Sequence, residues 1–294
     1  MNEKIELLTS LKSWRKYGES CLKAAGIPDA SVDSWLLMEY VCHIDKNFYY
    51  LNMNRPMDKS EAKEYQDLIH KRIKHIPLQY LIGETWFYDQ PFFVNESVLI
   101  PRQDTETLVE EALKYLKPGM NVLDLCTGSG CIILTLIRHA SVTGEGSDIS
   151  KEALSVAEKN ASRQKIDNCV FVQSNLFDKI SGTFDMITAN PPYIPTKDIK
   201  GLMKEVGEHE PLLALDGHED GLYFYRKIAD RARSFLKAEG RLVMEIGYDQ
   251  ANSVKNILKQ SNYTNIEIVN DLAGLPRVAS AQWLKRKVKE ESYV

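Results

Sequence analysis

The N-terminal part of the chain carries apolar residues at helical spacing. They recur from Leu7 to Ala25, and Gly26-Ile27-Pro28-Asp29 then interrupts the pattern. The same spacing predicts a second helix over residues 30–41 and a third that begins at Asp58. These segments predict a small helical bundle over residues 1–75. It holds no cluster of catalytic-looking side chains, so its tryptophans are expected in its core.

Between residues 76 and 100 the pattern becomes aromatic and β-prone. Trp86-Phe87-Tyr88 and Phe92-Phe93-Val94 flank Asp89-Gln90-Pro91, which predicts a β-hairpin. Pro101 and the acidic residues after it then favour the start of a helix that continues to about Leu116. We therefore predict a helical domain (1–75), a hairpin linker (76–100) and a larger domain (101–294).

After Pro118-Gly119, apolar runs of strand length alternate with segments of helical periodicity. Strands are predicted over residues 122–125, 170–172, 184–189 and 241–246, near 266–269 and 279–284, with a shorter one ending at Asp148. Helices are predicted over residues 131–139, 151–163, 222–236 and 250–259. This alternation predicts a doubly wound α/β sheet, in which ligands bind outside the carboxyl ends of the strands.

Composition narrows the class of protein. The 294 residues are 44% hydrophobic and 27% charged, as in a soluble globular protein, and the net charge of −4 argues against an extended nucleic-acid surface. The five cysteines form no CxxC pair, which indicates reduced thiols and a cytoplasmic location. No apolar run approaches the ~20 residues of a membrane span, and the N-terminus does not resemble a signal peptide.

The most informative motif is Asn190-Pro191-Pro192-Tyr193, which follows the predicted strand 184–189. Proline has no N–H and a fixed φ, so the backbone after Asn190 is stiff. The Asn190 side-chain oxygen and a proline carbonyl can accept two hydrogen bonds from a planar NH2 group, while Tyr193 covers its face. A Pro-Pro turn with a capping asparagine is the structural alternative for the tetrapeptide alone.

A glycine loop precedes this motif. The segment Asp124-Leu125-Cys126-Thr127-Gly128-Ser129-Gly130 lies between a predicted strand and a helix, where backbone N–H groups can approach a ligand closely. It is neither GxGxxG nor a phosphate loop. Asp148 ends the next strand, where a carboxylate can bind both hydroxyls of a ribose. A tight turn with a helix cap is the alternative to this nucleoside-binding interpretation.

The third strand of this domain leads into Asn175-Leu176, which suit the edge and face of an adenine ring, although Asn175 could equally be a turn residue. In order, the chain then presents a glycine loop, a ribose acid, an adenine edge and Asn-Pro-Pro-Tyr. This order resembles the class I S-adenosylmethionine methyltransferases that act on planar amino or amide nitrogens. The resemblance implies a mostly parallel seven-stranded sheet. It does not choose between adenine N6, guanine N2 and a glutamine amide.

The flanking segments resemble one family, the bacterial release-factor glutamine methyltransferases (HemK/PrmC). The similar segments cover about residue 75 to the end, and they are residues 77–84, 99–106, 210–217, 220–226, 245–247 and 271–278. The chain departs from the family pattern at three positions: Cys126 and His218 stand where the family usually has glycine, and Gln103 where it has proline. Cys126 could narrow the cofactor loop, whereas His218 and Gln103 are expected to lie away from the reacting groups.

The resemblance implies methyl transfer from S-adenosyl-L-methionine to the side-chain nitrogen N5 of the glutamine in the GGQ motif of class 1 peptide chain release factors. S-adenosyl-L-homocysteine is the product. Asn190, Pro191 and Tyr193 are the expected catalytic residues, and Pro192 joins them in binding the substrate. The expected cofactor-binding residues are Cys126, Thr127, Gly128, Ser129, Gly130, Asp148, Asn175, Leu176 and Asn190. We expect no metal, no stable nucleic-acid partner, no membrane association, and a monomer whose N-terminal bundle helps to dock the release factor.

Alternatives remain open. A nucleic-acid amino-methyltransferase could use the same chemistry but would need a positively charged track. A non-catalytic adaptor would keep the fold as a binding surface, although Asn190 and Asp148 are both present. Glu208-His209-Glu210 is expected to be a loop at the substrate rim rather than a metal site. Arg102, Asp104 and Glu106 could form structural ion pairs or contact the substrate directly.

Overall fold

The computed structural model describes residues 9–284, so Leu7 and Leu8 of the predicted first helix lie outside the described residues. The chain divides into two compact units. The first comprises Met1–Gly83 together with Met203–His209, and the second comprises Glu84–Leu202 and Glu210–Val294. A later segment of the chain therefore belongs to the N-terminal unit, which sequence reasoning did not foresee.

The first unit is a helical bundle. Its helices are α1 (Leu11–Ala24), α2 (Ala30–Cys42), α3 (Lys46–Asn52), α4 (Lys59–Arg72) and α5 (Leu78–Ile82). Helix α1 begins with a capping box in which the Ser10 and Ser13 side chains accept each other's backbone N–H. Trp14 and Trp35 are buried in the core, as the sequence predicted.

Two helices of this unit differ from the sequence prediction. Helix α3 was missed because its seven residues are too few to show a clear period. Helix α5 lies in the segment assigned to a hairpin linker, and its Leu78 is part of the bundle core. The first unit consequently reaches Gly83, whereas the sequence analysis ended the bundle at residue 75.

A buried arginine ties the bundle together. Arg72 at the end of α4 is 3% exposed, and its Nε donates to Asp33 Oδ2 over 2.7 Å. Its Nη2 donates to Glu205, which lies in the short helix α9 (Lys204–Gly207) of the segment Met203–His209. Burial raises the pKa of the Asp33 carboxyl, although the bonded Arg72 opposes that shift. One guanidinium thus neutralises two carboxylates.

The second unit opens with a hairpin of β1 (Glu84–Phe87) and β2 (Gln90–Phe93). A 3-10 turn over Gln103–Thr105 leads into α6 (Glu106–Leu113), so the helix predicted to reach about Leu116 ends earlier. The remaining strands are β3 (Asn121–Leu125), β4 (Thr143–Asp148), β5 (Cys169–Gln173), β6 (Phe184–Ala189), β7 (Leu236–Glu245), β8 (Thr264–Asn270) and β9 (Pro276–Gln282).

The helices of this unit lie between those strands. They are α7 (Cys131–Ala140), α8 (Lys151–Arg163), α10 (Leu212–Leu215), α11 (Tyr223–Ala232) and α12 (Ala251–Gln260), with a 3-10 helix at Thr196–Gly201. The helix predicted over residues 222–236 ends at Ala232. The chain from Leu236 onward is instead the start of β7.

The seven strands form one sheet in the order β5-β4-β3-β6-β7-β9-β8. Strands β3 to β7 are parallel, whereas β9 pairs antiparallel with both β7 and β8. The chain crosses from β3 to β4 on one side and returns to β6 on the other. The carboxyl ends of β3, β4 and β6 therefore meet at the switch point where such sheets bind ligands.

Two glycines inside β4 allow close packing on the sheet. A Cβ at Gly144 would lie 2.7 Å from side-chain atoms of both Ile133 and Ile137 in α7. A Cβ at Gly146 would lie 2.8 Å from the Phe171 ring. Both glycines of β4 are thus required by the neighbours of that strand.

Candidate active site

A cavity of about 350 Å³ lies at the switch point, entirely within the second unit. Its size is within the range of small-molecule sites. Most of the predicted site residues line it, namely Cys126, Thr127, Gly128, Ser129, Asp148, Asn175, Leu176, Asn190 and Pro192. Three predicted residues, Gly130, Pro191 and Tyr193, are not among the lining residues.

The glycine loop turns sharply between β3 and α7. Cys126, Gly128 and Gly130 all have positive φ values, of 55°, 53° and 79°. Cys126 thus holds a left-handed conformation that favours glycine, and it adds a side chain to the cavity wall. Gly130 has a packing role, because a Cβ there would lie 3.2 Å from Ala157 Cβ.

Asp124, in strand β3, holds this loop in place through hydrogen bonds. Its carboxylate accepts hydrogen bonds from Thr127 Oγ1 at 2.6 Å and from Thr188 Oγ1 at 2.7 Å. It therefore joins the loop to strand β6. The residue is fully buried, and this burial raises the pKa of its carboxyl to about 7 against the two threonine bonds.

Asp148 at the end of β4 presents a carboxylate to the cavity. Its Oδ2 accepts the Gly128 N–H at 2.9 Å, and its Oδ1 accepts the Ser150 N–H at 3.0 Å. Burial raises the pKa of this carboxyl, while the backbone N–H bonds work in the opposite direction. Each carboxylate oxygen can accept a further bond, which suits the two hydroxyls of a ribose.

The Asn175-Leu176 segment forms a tight turn beside Asp148. Leu176 has a φ of 49°, and its carbonyl accepts a hydrogen bond from Ser174 Oγ at 2.8 Å. The same hydroxyl accepts the Lys179 N–H at 3.0 Å. The turn is fixed by its own hydrogen bonds, and it leaves both Asn175 and Leu176 on the cavity wall.

The Asn190 side chain has a defined orientation. Its Nδ2 donates to Glu245 Oε2 at 2.9 Å and approaches Thr105 Oγ1 at 3.4 Å. Within residues 9–284, no donor reaches Asn190 Oδ1 or the Pro191 carbonyl. Both acceptors of the predicted amide site are therefore unsatisfied by the protein, and Asn190 lines the cavity.

Glu245, at the end of β7, is the site residue that sequence reasoning missed. It is 2% exposed. Burial raises the pKa of its carboxyl to about 7, against the opposing effects of a hydrogen bond from Thr105 and the charge of Arg277. The sequence feature that could have indicated Glu245 is a carboxylate at the end of an apolar strand. In the sheet this strand, β7, lies next to β6, which leads into Asn190.

Tyr193 contacts this carboxylate from the other side. Its hydroxyl donates to Glu245 Oε1 at 3.4 Å, and its backbone carbonyl accepts a bond from Gln250 Nε2 at 3.0 Å. Burial raises the pKa of the Tyr193 hydroxyl, with the nearby Glu245 charge adding to the shift. The Tyr193 side chain therefore supports Glu245 and is not among the residues that line the cavity, and its expected role of covering the substrate amide stays a prediction.

One residue that departs from the family pattern lies closer to the site than expected. His218 was expected outside the chemistry, yet it lines the cavity with a φ of 67°. Its ring centre lies 4.3 Å from that of Tyr223 and 5.5 Å from that of Phe224, and both rings also line the cavity. Together with Leu213, which is 68% exposed, they form a rim of aromatic and aliphatic side chains.

The charged residues near the site have structural partners. Arg102 pairs with Glu210, Asp104 with Arg277 at 3.1 Å, and Glu106 accepts the Tyr88 N–H at 2.9 Å. Among residues 9–284, no three His, Cys, Asp or Glu side chains are arranged to hold a metal ion. In the same part of the chain, every helix is too short or too polar to cross a membrane.

Comparison with known proteins gives the family. Residues 13–83 match a family model described as the PrmC N-terminal domain, and residues 116–291 match one described as a methyltransferase domain. The chain is 42% identical over 253 residues to the release factor glutamine methyltransferase of Thermodesulfovibrio yellowstonii, across 83% of this chain and 90% of that protein. The chain belongs to the release factor glutamine methyltransferase family.

Other comparisons agree with this membership. The release factor glutamine methyltransferase of Geobacter sulfurreducens is 36% identical over 288 residues, which cover 96% of this chain and 99% of the relative. A crystal structure of a methyltransferase from Pyrococcus furiosus superposes with a TM-score of 0.53 at 15% identity, across 68% of this chain and 91% of that one. That likeness concerns the fold alone, and it confirms the predicted class I methyltransferase sheet.

Proposed function

We propose that this member of the release factor glutamine methyltransferase family methylates the side-chain nitrogen N5 of the glutamine in the GGQ motif of class 1 peptide chain release factors. The observation that carries the proposal is the orientation of Asn190. Its Nδ2 donates to Glu245 and approaches Thr105, so its oxygen remains available in a cavity at the switch point of the sheet.

The cavity wall suits S-adenosyl-L-methionine. Asp148 would bind the ribose hydroxyls, and Asn175 and Leu176 would contact the adenine, as all three line one cavity. The amino end of α7 lies at the same cavity through Cys131, where the helix dipole favours a carboxylate. When bound, the cofactor supplies an electrophilic methyl group on a sulfonium sulfur and leaves as S-adenosyl-L-homocysteine.

The protein side of the chemistry is positioning. An amide nitrogen is a poor nucleophile because its lone pair is delocalised into the carbonyl. Asn190 Oδ1 and the Pro191 carbonyl would each accept one N–H of the substrate amide, which fixes the nitrogen in one orientation. The same acceptors stabilise the positive charge that develops on nitrogen during transfer.

Glu245 would act on the substrate indirectly, through Asn190. A carboxylate only accepts hydrogen bonds, so it binds the NH2 end of Asn190 and turns the oxygen toward the cavity. Tyr193 and Thr105 fix that carboxylate in turn. We assign Glu245 as a positioning residue. Tyr193 would contribute to catalysis by holding the Glu245 carboxylate in place.

The rim suits a protein substrate better than a free amino acid. Leu212 and Leu213 are 59% and 68% exposed beside the cavity, and an apolar rim of this kind favours contact with a loop of another protein. The GGQ loop would enter between them and the aromatic residues Tyr223 and Phe224.

Incubation with methyl-labelled cofactor and a purified class 1 release factor tests the proposal. We expect label on the tryptic peptide that carries the GGQ glutamine, and none with Asn190→Ala. In parallel reactions, bulk tRNA and DNA replace the release factor. Label in nucleic acid with an untouched release factor would overturn the proposed substrate while leaving the methyl-transfer chemistry in place.

A further inference from the structure

The N-terminal bundle holds a second cavity, of about 170 Å³, that is unrelated to the methyl-transfer site. It opens between α1, α2 and α3, and the bundle alone forms its walls. Its lining is unusual for a bundle surface because it combines aromatic rings with two cations. The residues are Arg15, Ser31, Val32, Trp35, Lys46, Tyr49 and Tyr50.

Two buried donors in this cavity have no acceptor. Trp35 is 5% exposed, and within residues 9–284 its indole Nε1 makes no hydrogen bond. The Nε of Arg15 has no acceptor either, although the Arg15 side chain also bonds Tyr49. A buried N–H without an acceptor costs free energy, so a pair of them in one cavity indicates a ligand that supplies the acceptors.

The aromatic rings hold these donors in place. The Arg15 guanidinium carbon lies 6.0 Å from the centre of the Trp35 ring and 5.4 Å from that of Tyr49. Trp35 and Tyr49 meet edge to face with ring centres 5.3 Å apart. The donors are therefore preorganised, which reduces the entropy that binding would cost.

The charge around the cavity favours an anion. Lys46 is exposed at its edge, and Arg15 keeps its positive charge at any physiological pH. The nearest carboxylate on α1, that of Glu19, pairs with Lys23 at 2.5 Å. It also bonds Ser31 and interacts with the Arg15 charge, so Arg15 faces one carboxylate that is already shared with Lys23. A carboxylate that enters this cavity would meet two cations, Arg15 and Lys46, and the indole N–H of Trp35.

The surroundings indicate that the carboxylate belongs to a protein. Tyr50 and Val32 of the cavity are 61% and 54% exposed, and Phe48 and Leu51 beside them on α3 are 39% and 85% exposed. Tryptophan, tyrosine and arginine inside a ring of exposed apolar groups are the composition of interface hot spots.

We propose that this cavity, the Arg15–Trp35 socket, receives an aspartate or glutamate side chain from the surface of the protein substrate. Both donors would bind the carboxylate, and the exposed face of α3 would cover the apolar surface next to it. The identity of the partner rests on the proposed function, whereas the preference of the socket for a carboxylate does not.

The carboxylate preference can be measured directly on the full-length protein. The Trp35 indole N–H resonance, assigned with Trp35→Phe, is followed while acetyl-glutamate amide is added. We expect a saturable shift, and no saturable shift with acetyl-glutamine amide, which matches it in size but lacks the charge. Equal responses to the two probes, or none to either, would overturn the socket.

The role in substrate capture needs a kinetic test. Lys46→Ala and Arg15→Lys should each raise the KM for the intact release factor about tenfold while leaving kcat and the KM for a short GGQ peptide unchanged. Lys16→Ala is the matched control, since Lys16 is an exposed cation on α1 outside the cavity. A KM unchanged from wild type in both variants would overturn substrate docking at the socket.

The two tests separate this inference from the proposed function. If the release factor is not methylated but the indole still responds to the glutamate probe, the proposed function fails and the carboxylate site stands. If methylation proceeds normally and the indole does not respond, the socket fails and the proposed function stands.

Discussion

Asn190 Nδ2 and Glu245 Oε2 lie 2.9 Å apart, in a hydrogen bond between the carboxyl ends of neighbouring strands β6 and β7. This bond decides which end of the Asn190 amide faces the cavity. A carboxylate cannot donate, so only the NH2 end of Asn190 can bind it. The oxygen is thereby directed to the place where the substrate amide is expected.

Glu245→Gln should lower kcat about tenfold or more, because a glutamine amide can donate to Asn190 as well as accept from it. The Asn190 oxygen would then spend part of its time turned away from the cavity. Steady-state kinetics with release factor checks this, together with cofactor affinity by calorimetry, which we expect to stay within a few-fold of the wild-type value.

Glu111→Gln is the control for that experiment, since Glu111 is equally buried but lies on α6 and does not line the cavity. A wild-type kcat in Glu245→Gln would show that the orientation of Asn190 does not depend on the carboxylate.

The pH dependence of kcat should report the same group. With a pKa of about 7, the Glu245 carboxyl gains a proton as the pH falls below 7 and becomes a donor itself. We expect kcat to fall on the acid side of an apparent pKa near 7, and this acid limb to be lost in Glu245→Gln. An acid limb that is identical in the variant would assign the titration to another group.

Folding stability should change with pH in the opposite sense to kcat. Burial raises the pKa of Glu245 from 4.5 and of Asp124 from 3.8, each to about 7. The native protein therefore holds these protons more tightly than the unfolded chain does. Their contribution is complete below the unfolded pKa values and is lost as the pH rises through 7.

Urea unfolding at about pH 5 and about pH 8 measures this effect. The contribution of Glu245 to the free energy of unfolding should decrease by up to about 3 kcal/mol between the two conditions. The pH-dependent part should shrink in Glu245→Gln and again in the double variant with Asp124→Asn. A wild-type pH slope in the double variant would contradict the raised pKa values.

Asp148→Ala should weaken cofactor binding about tenfold to a hundredfold, because a charged acceptor of two hydroxyl bonds is removed. The kcat at saturating cofactor should stay within a few-fold. Glu152→Ala is the control, since this exposed carboxylate of α8 is close in sequence and does not line the cavity. Equal cofactor affinity in the two variants would remove the ribose assignment.

Arg72→Met should destabilise the N-terminal bundle by about 3–5 kcal/mol, because it leaves the Asp33 and Glu205 carboxylates without their common cation. Thermal unfolding followed by circular dichroism measures the loss. Lys71→Met on the exposed face of the same helix should change stability by less than about 0.5 kcal/mol. Equal stability of the two variants would show that the buried ion pairs contribute nothing.

The periodicity of the chain was sufficient for most elements of the fold. Alternating strands and helices after residue 118 predicted the parallel sheet, and every predicted strand overlaps an observed one, although β7 begins at Leu236 in a segment predicted as helix. The short helices α3 and α5 were not predicted. One or two turns of helix are stabilised by packing on distant residues, so their own sequence shows little periodicity.

The sequence by itself determined the chemistry-bearing segments, since each is a local motif at the end of a strand. The glycine loop, Asp148 and Asn190 could be recognised without a structure, and all of them line one cavity. Local motifs carry this information because their backbone conformation depends on nearby residues, on glycine and proline above all.

Only the tertiary structure determined which distant residues contact those motifs. Glu245 lies 55 positions from Asn190, and Arg15 lies far in sequence from Trp35. Neither pairing has a signature in the chain, because the order of strands in a sheet and the packing of helices bring together residues that no spacing rule connects. The sequence thus predicted the amide acceptors, and the fold determined the carboxylate that orients the side chain of one of them, Asn190.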